Sequence, residues 1–345
     1  MAWLRRLISI CTRDERIGDN GAARIAPSPT MTTPKRITGV LSPVVTPFKS
    51  DLSPDRARYV RHCKWLLANG CSGLAVFGTN SEANSLSAEE RMVLLETLVQ
   101  EGVPAEKLMP GTGCCSLTDS VRLTAHAVAL GCSGVLMLPP FYYKGVSDEG
   151  LYRNFAEVIE RVGDASLQLY LYHIPPVSQV PITLPLIERL LKKFPGTVAG
   201  VKDSSGDWNN TKAMLDAFAK SGFDVFAGSE VFLLDNMRGG GKGCITATGN
   251  INPGAIDKVF RSWRGPDADA LQKDITATRG VMQKYPMMAA LKAVIAHYAR
   301  DPEWATMRPP LVELTSAQSK SLMEELEARG FDMPGLAAAS ATAVA

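Results

Sequence analysis

Short apolar runs alternate with longer amphipathic segments along most of this chain, beginning at Ile37. Runs of this length that are rich in Val, Ile and Leu are typical of parallel strands buried on both faces. The segments between them repeat apolar residues at helical spacing, as residues 88–100, 120–130, 149–161 and 210–220 do. The candidate strands are ITGVLSPVV from Ile37, GLAVFG from Gly73, KLMPGTG from Lys107, GVLMLPP from Gly134, QLYLYHI from Gln168, VAGVKDS from Val198, DVFAGS from Asp224 and GCITATG from Gly243.

Eight strand-and-helix units close an α/β barrel, whereas open doubly wound sheets usually have fewer strands. We therefore predict a TIM (β/α)8 barrel over residues 37–265. The pattern then becomes purely helical through 267–283, 287–298 and 316–328, which predicts a C-terminal helical extension over residues 266–330. Residues 331–345 are predicted to be a flexible tail and residues 1–36 a disordered N-terminal extension. Regular patterning begins only at Ile37, so our hypothesis is that Met31 is the start of the natural protein.

The composition argues against several classes of partner. A formal net charge of +2 gives no strong field for nucleic acid or for a membrane surface. No segment reaches the roughly 20 uninterrupted apolar residues of a membrane span. The seven cysteines show no metal-binding spacing. We therefore predict a cytoplasmic protein with reduced thiols that binds no metal, no membrane and no nucleic acid.

The candidate chemistry lies at the carboxyl ends of the strands, where barrels of this kind build their active sites. Lys202 ends the sixth candidate strand beside Ala199 and Val201, where an unpaired ammonium is costly. Either a carboxylate pairs with it, or its pKa falls and the free amine forms a Schiff base with a carbonyl. Tyr172 ends the neighbouring strand, roughly 5 Å away. Its phenol would either move protons for that chemistry or, with Tyr170, simply fill the top layer of the barrel.

Three other features are weighed from the residues alone. The amides and hydroxyl of Gly78-Thr79-Asn80 fit a carboxylate, but a capped turn accounts for them equally well. His173 alternates with Tyr172 and is expected to face the opposite side of the strand. The glycine run at 239–243 lacks the spacing of a phosphate loop, so we interpret it as a tight turn.

Several motifs in order resemble the dihydrodipicolinate synthase / N-acetylneuraminate lyase family of Schiff-base class I aldolases. They are GTNSEANSLSAEER, PPFYYKGVSDEGLY, LYLYHIPPVS, GVKDSSGD and AGSEVFLLDNMRGGGKGCITATGN, within a match from about residue 37 to residue 328. The resemblance implies that Lys202 forms the Schiff base, that Tyr172 is the catalytic tyrosine and that Thr79 continues its proton relay. It also implies that Tyr143 joins the relay of a neighbouring subunit, within a homo-oligomer that is a dimer of dimers.

The same resemblance assigns the substrate contacts. It implies that Thr79 and Asn80 hold the substrate carboxylate, and that Gly228 and Ile245 contribute backbone contacts from the ends of the last two strands. The implied partner is a small 2-oxo acid, pyruvate. No cofactor is implied beyond the covalent Schiff base between the lysine and the substrate.

The chain departs from the family's motifs in three places. Asn80 and Ser81 replace the second hydroxyl residue and second glycine of the GTTGE or GSTGE loop, so the carboxylate is expected to be held somewhat differently. Val177 stands where true dihydrodipicolinate synthases carry an arginine that binds the aldehyde's carboxylate. Losing a bidentate partner is expensive for that substrate. His173 replaces the usual asparagine.

The leading hypothesis is a lyase that makes or breaks a carbon–carbon bond of a 2-oxo acid, with pyruvate as the enamine partner. The missing arginine favours substrates that resemble 4-hydroxy-2-oxoglutarate, 2-keto-3-deoxy sugar acids or sialic acids. The alternatives are 4-hydroxy-tetrahydrodipicolinate synthesis in the lysine pathway, a sugar-acid dehydratase that uses the same lysine, and a non-catalytic 2-oxo-acid-binding barrel. Lys202, Tyr172, Thr79 and Tyr143 together argue against the last, because a binding protein needs neither nucleophile nor relay.

Overall fold

Seven parallel strands form one curled sheet in the computed structural model, which describes residues 36–341. The predicted N-terminal extension up to residue 35, with Met31, and residues 342–345 lie outside the described residues. The strands are β1 (Gly39–Ser42), β2 (Gly73–Leu74), β3 (Val135–Met137), β4 (Leu169–His173), β5 (Val198–Asp203), β6 (Asp224–Ala227) and β7 (Gly243–Ile245). Their order in the sheet is β2-β1-β7-β6-β5-β4-β3.

The third predicted strand, KLMPGTG from Lys107, is the eighth segment of the barrel and joins the two edges of this sheet. Residues 108–111 lie between β2 and β3 and form parallel bridges, Leu74 with Leu108 and Gly111 with Leu136. Met109 N donates to the Leu74 carbonyl at 2.9 Å on one side, and Leu136 N donates to the Pro110 carbonyl at 2.9 Å on the other. Pro110 has no N–H, which shortens the ladder here. The prediction of an eight-stranded α/β barrel is confirmed.

The helices alternate with the strands and then continue alone. Several begin directly after a Ser, Thr or Asp whose side chain accepts a hydrogen bond from the first turn, as an N-cap does. The helices are α1 (Arg56–Ala68), α2 (Ala88–Gln100), α3 (Leu117–Ala129), α4 (Asp148–Val162), α5 (Pro175–Ser178), α6 (Leu184–Lys193), α7 (Trp208–Phe218), α8 (Leu233–Arg238), α9 (Pro253–Ser262), α10 (Ala268–Met282), α11 (Met287–Ala299), α12 (Ser316–Glu327) and α13 (Leu336–Ala341).

The barrel's interior is a small apolar core of its own. It is formed by Ile37, Leu41, Ala75, Met109, Leu136, Tyr170, Tyr172, Ala199, Phe226 and Ile245. At the end of the barrel where the strands begin, the Tyr170 hydroxyl donates to Asp224 at 3.0 Å, and Arg36 lies 3.5 Å from the same carboxylate. Burial raises the pKa of Tyr170. Tyr170 therefore closes the bottom of the barrel and is not available at its mouth.

The chain after α12 packs on the barrel where the sequence predicted a flexible tail. Met333 and Leu336 are buried, and α13 covers part of residues 331–345. The Trp65 indole N–H donates to the Pro334 carbonyl at 3.0 Å, which joins the segment to α1. The sequence pattern does not predict this packing, because the few large apolar residues of the segment lie beside a run of alanines. Within the described residues, no helix is long and apolar enough to cross a membrane.

His62 of α1 links the stability of this fold to pH. Its ring lies 5.9 Å from that of Trp65 and 5.1 Å from that of Trp304. Burial lowers the pKa of His62 to about 4, and a contact with Asn250 opposes this shift. The unfolded chain binds the proton near pH 6.5, whereas the folded chain does not. Neutral His62 therefore makes its full contribution to the free energy of unfolding above about pH 6.5. This contribution is lost as the pH falls through 4.

We expect the free energy of unfolding to fall by about 3 kcal/mol between pH 7 and pH 4 through this one group. Denaturant unfolding of the His62→Gln variant at both pH values measures it, because glutamine has a similar size and does not titrate. The variant should lose about that much less stability than the wild type on acidification. An identical pH dependence in both proteins would contradict the assignment.

Candidate active site

Lys202 and Tyr172 lie side by side at the mouth of the barrel. They are register partners on the adjacent strands β5 and β4. The Lys202 ammonium nitrogen lies 4.2 Å from the centroid of the Tyr172 ring, and both side chains are buried, with 3% of each residue exposed. Period-2 alternation of side chains turns both toward the interior. The two residues that the sequence singled out first are therefore in contact.

The surroundings of Lys202 distinguish between the two explanations of a buried lysine. In the part of the chain that the structure describes, no carboxylate oxygen lies within 4.0 Å of its ammonium group. The following residue, Asp203, faces the other side of β5, where its carboxylate accepts hydrogen bonds from Ser205 and Thr211. The Lys202 side chain therefore packs on an aromatic face and forms no ion pair among the described residues. The explanation that a carboxylate pairs with Lys202 is not met, which favours the explanation that its amine is a nucleophile.

Thr79 joins this pair from the loop after β2. Its hydroxyl oxygen lies 3.2 Å from the phenol oxygen of Tyr172, within hydrogen-bond distance. Thr79 thus contacts the Tyr172 phenol within hydrogen-bond distance, and the Tyr172 ring contacts Lys202, all in a single subunit. A proton can pass along hydroxyl groups at such distances.

Ser81 shapes the loop that carries Thr79 and Asn80. It is buried, its hydroxyl donates to the Val44 carbonyl, and the same oxygen accepts from Gly78 N at 3.1 Å. A serine at this position, where the family has glycine, therefore closes the turn instead of disturbing it. Asn80 is partly exposed, and its side chain makes no hydrogen bond within residues 36–341, so its amide is available to a ligand.

Gly228 directly follows β6, and Ile245 ends β7. Gly228 N donates to the Asp203 carbonyl at 2.7 Å. A Cβ atom at Gly228 would lie 2.1 Å from the Ser204 hydroxyl oxygen, so only glycine allows this approach. Because its N–H is engaged, its carbonyl is the backbone group that remains for a substrate. Ile245 is buried in the interior core beside Tyr172.

Tyr143 is not brought to Thr79 or Tyr172 within the described subunit. It is 70% exposed, and its ring packs edge to face on Tyr142 at 5.4 Å. Val177 is also exposed, and Lys144 joins the two loops by donating to the Ser178 carbonyl at 2.8 Å. The exposed tyrosines and Val177 therefore lie on two segments that Lys144 joins.

His173 faces the helices, opposite to Tyr172. Its Nδ1 accepts a hydrogen bond from Ile182 N at 2.9 Å, and its Nε2 lies 3.9 Å from Asp203. Burial lowers the pKa of His173, and Asp203 opposes that shift. The imidazole holds the segment after β4 in place, on the side of the strand opposite to Tyr172. It does not touch Tyr172 or Lys202 through any hydrogen bond of the described residues.

Two buried acids near the site were missed by sequence reasoning. Glu230 follows β6 and accepts hydrogen bonds from the hydroxyls of Thr246 and Thr248, with Arg279 of α10 at 3.3 Å. Glu82 forms an ion pair with Lys292 of α11. The available signal was a cation in each of two helices that pack on the barrel, Arg279 in α10 and Lys292 in the apolar α11.

Comparison with known proteins gives the same family. The sequence model of the dihydrodipicolinate synthetase family matches residues 36–329. An uncharacterized DapA-like lyase of Chloroflexus aurantiacus is 33% identical over 84% of this chain and 96% of its own length. A 4-hydroxy-tetrahydrodipicolinate synthase of Gluconacetobacter diazotrophicus is 28% identical over 85% of this chain and 97% of its own length.

Comparison with solved structures leads to the same family. Dihydrodipicolinate synthase from Agrobacterium tumefaciens superposes with a TM-score of 0.78 at 29% identity, over 84% of this chain and 99% of that one. YagE from E. coli K12, a protein of the dihydrodipicolinic acid synthase family solved in complex with pyruvate, gives 0.78 at 25% identity, over 85% and 99%. The chain belongs to the dihydrodipicolinate synthetase family.

Proposed function

We propose that this protein is a class I lyase that cleaves or forms a carbon–carbon bond of a 2-oxo acid through a Schiff base on Lys202. The observation that carries the proposal is the position of Lys202, which is buried without a carboxylate partner among residues 36–341 and lies 4.2 Å from the centroid of the Tyr172 ring. A primary amine in such surroundings has the properties of a carbonyl nucleophile. Family membership supports the lyase class.

The chemistry follows from that geometry. The neutral Lys202 amine attacks the C2 carbonyl, and Tyr172 passes a proton to the carbinolamine oxygen, which leaves as water. The resulting iminium ion withdraws electrons from C3. Removal of the proton from a C4 hydroxyl then breaks the C3–C4 bond and releases an aldehyde, leaving an enamine on Lys202. Protonation of the enamine and addition of water release pyruvate and restore the amine.

Thr79 and Tyr143 have the supporting roles in this proposal. Thr79 lies 3.2 Å from the Tyr172 phenol and receives or returns its proton. Tyr143 is exposed beside Tyr142, which suits a residue that reaches the relay of a second subunit. The proposed active unit is therefore a dimer, paired into a dimer of dimers. Asn80, Gly228 and Ile245 would hold the substrate, and no other cofactor is required.

Borohydride trapping tests the proposal. The protein is incubated with pyruvate, reduced, and examined by intact mass and peptide mapping. We expect one covalent adduct per chain on the peptide that contains Lys202. A panel of 4-hydroxy-2-oxo acids assayed for pyruvate release then identifies the substrate. A folded protein that forms no adduct with any 2-oxo acid would instead be a non-catalytic binding barrel.

The second candidate is 4-hydroxy-tetrahydrodipicolinate synthesis, because several relatives bear that name. Val177 opposes it. Its side chain is apolar and the residue is 62% exposed, so this position offers no guanidinium to the carboxylate of aspartate semialdehyde. Kinetics with pyruvate and aspartate semialdehyde separate the two activities.

The cytoplasmic location remains a prediction.

A further inference from the structure

A lysine lies at the centre of the most apolar helix of the C-terminal extension. Lys292 occurs in α11, whose sequence is MMAALKAVIAHYA, and none of its surface is exposed. Its ammonium group donates to the Thr306 carbonyl at 2.8 Å and lies 4.4 Å from the centroid of the Phe48 ring. Burial lowers the pKa of Lys292, and Glu82 opposes that shift. A cation in such a place needs a specific partner.

That partner is Glu82, which directly follows the turn Thr79–Ser81 in the loop after β2. The Glu82 carboxylate forms an ion pair with Lys292, and both side chains are fully buried. Its second oxygen accepts a hydrogen bond from Arg308 N at 3.1 Å. Only Asn80 and Ser81 separate Glu82 from Thr79 in the sequence. Glu82 N donates to the Thr79 carbonyl at 3.1 Å. A displacement of Glu82 therefore displaces Thr79.

The pair is poorly explained as a source of stability. Two charges lose their hydration here, and apolar residues of the same volume often stabilise a protein as well as a buried ion pair does. Glu82 also adopts a left-handed backbone conformation, with φ of +54°, which is unfavourable for a residue with a side chain. Backbone strain of this kind is often found where a functional geometry must be held. The strained residue lies three positions after Thr79.

We propose that Lys292 is a positioning residue, which acts through Glu82 to hold the Thr79 hydroxyl within hydrogen-bond distance of the Tyr172 phenol. The C-terminal extension is then part of the catalytic apparatus and not only a cover for the side of the barrel. This inference rests on the proposed function for its catalytic consequence. Its structural consequence, the order of the loop, is independent of it.

Two measurements on the full-length Lys292→Met and Glu82→Gln variants test the inference. Hydrogen exchange with mass spectrometry should show faster exchange in the peptide that contains Ser81, Glu82 and Ala83, whose amides are hydrogen-bonded within the loop. With the substrate identified above, kcat should fall about 10- to 100-fold, while KM changes less. Trapping of pyruvate on Lys202 should persist. The double variant should be no worse than the poorer single variant, because the two changes act on one interaction.

Arg58→Met is the matched control. Arg58 pairs with Asp55, Asp301 and Glu303, so it joins α1 to the segment after α11 without a hydrogen bond or ion pair to the loop. It should leave exchange in the loop and kcat as in the wild type. If Lys292→Met does not fold, Glu82→Gln is judged by the same criteria.

The outcomes separate this inference from the proposed function. Loop exchange equal to that of the wild type, or a loss of kcat no larger than that of Arg58→Met, would overturn the positioning role. A wild-type protein that forms no adduct with any 2-oxo acid would overturn the proposed function, and loop exchange would still decide whether Lys292 orders the loop.

Discussion

Replacement of Lys202 by methionine is expected to eliminate adduct formation with pyruvate and to lower kcat/KM on the order of 10⁵-fold. The reason is that the nucleophile is removed. Lys292, the other buried lysine of the described residues, is paired with Glu82 and is not available to replace it. Methionine is unbranched and apolar, so it fits the interior position without an uncompensated charge. Borohydride trapping followed by steady-state kinetics measures both effects.

Lys212→Met is the matched control for this variant. Lys212 lies on the exposed face of α7, the helix after β5, and pairs with Asp216 at 2.6 Å. An exposed pair of this kind contributes little to stability. The control should form the adduct at the wild-type rate. Adduct on the Lys202→Met protein, mapped to any other lysine, would show that the nucleophile has been assigned to the wrong residue.

Tyr172→Phe is expected to lower kcat about 10²- to 10³-fold while leaving Lys202 in place. Phenylalanine keeps the aromatic ring, whose centroid lies 4.2 Å from the Lys202 ammonium. It removes only the hydroxyl that contacts Thr79. Schiff-base formation should therefore become slow rather than absent, since the amine remains. Single-turnover trapping of pyruvate over time would resolve that slow phase.

Tyr170→Phe, two residues earlier on β4, separates the relay from packing. Its hydroxyl donates to Asp224 at the opposite end of the barrel. Loss of this hydroxyl should lower the free energy of unfolding by roughly 1–3 kcal/mol, because the buried Asp224 carboxylate loses a donor. It should change kcat little. Equal losses of kcat in the two variants would mean that Tyr172 contributes packing rather than proton transfer.

The barrel and the centre of its site were predictable because they depend on local patterns. Apolar runs separated by helical periods gave all eight strand segments, including residues 108–111, where proline interrupts the ladder. Strand alternation and the adjacency of consecutive parallel strands placed Tyr172 beside Lys202. The remaining site positions came from the resemblance to a family. Residues alone left the Thr79 loop undecided between a ligand site and a capped turn.

Features that depend on distant contacts could not be predicted in this way. Glu82 and Lys292 are far apart in the sequence, and no periodicity links a loop after β2 to a helix of the extension. The packed segment around Met333 was interpreted as a tail because its few apolar residues form no pattern until α1 is beside them. In the proposed mechanism Tyr143 joins the relay of a second subunit, and the sequence pattern of a single chain cannot place a residue relative to another subunit.

The exposure of Val177 bears on how such an enzyme can change over evolutionary time. This residue lies on α5, a single turn at the surface, whereas Lys202 and Tyr172 lie on buried strands. Surface substitutions usually change stability by no more than about 0.5 kcal/mol. A lineage can therefore sample arginine, valine or other residues at position 177 without disturbing the strands that carry Lys202 and Tyr172. Under the proposed mechanism, selection for a new aldehyde and retention of the lysine chemistry are thus separable.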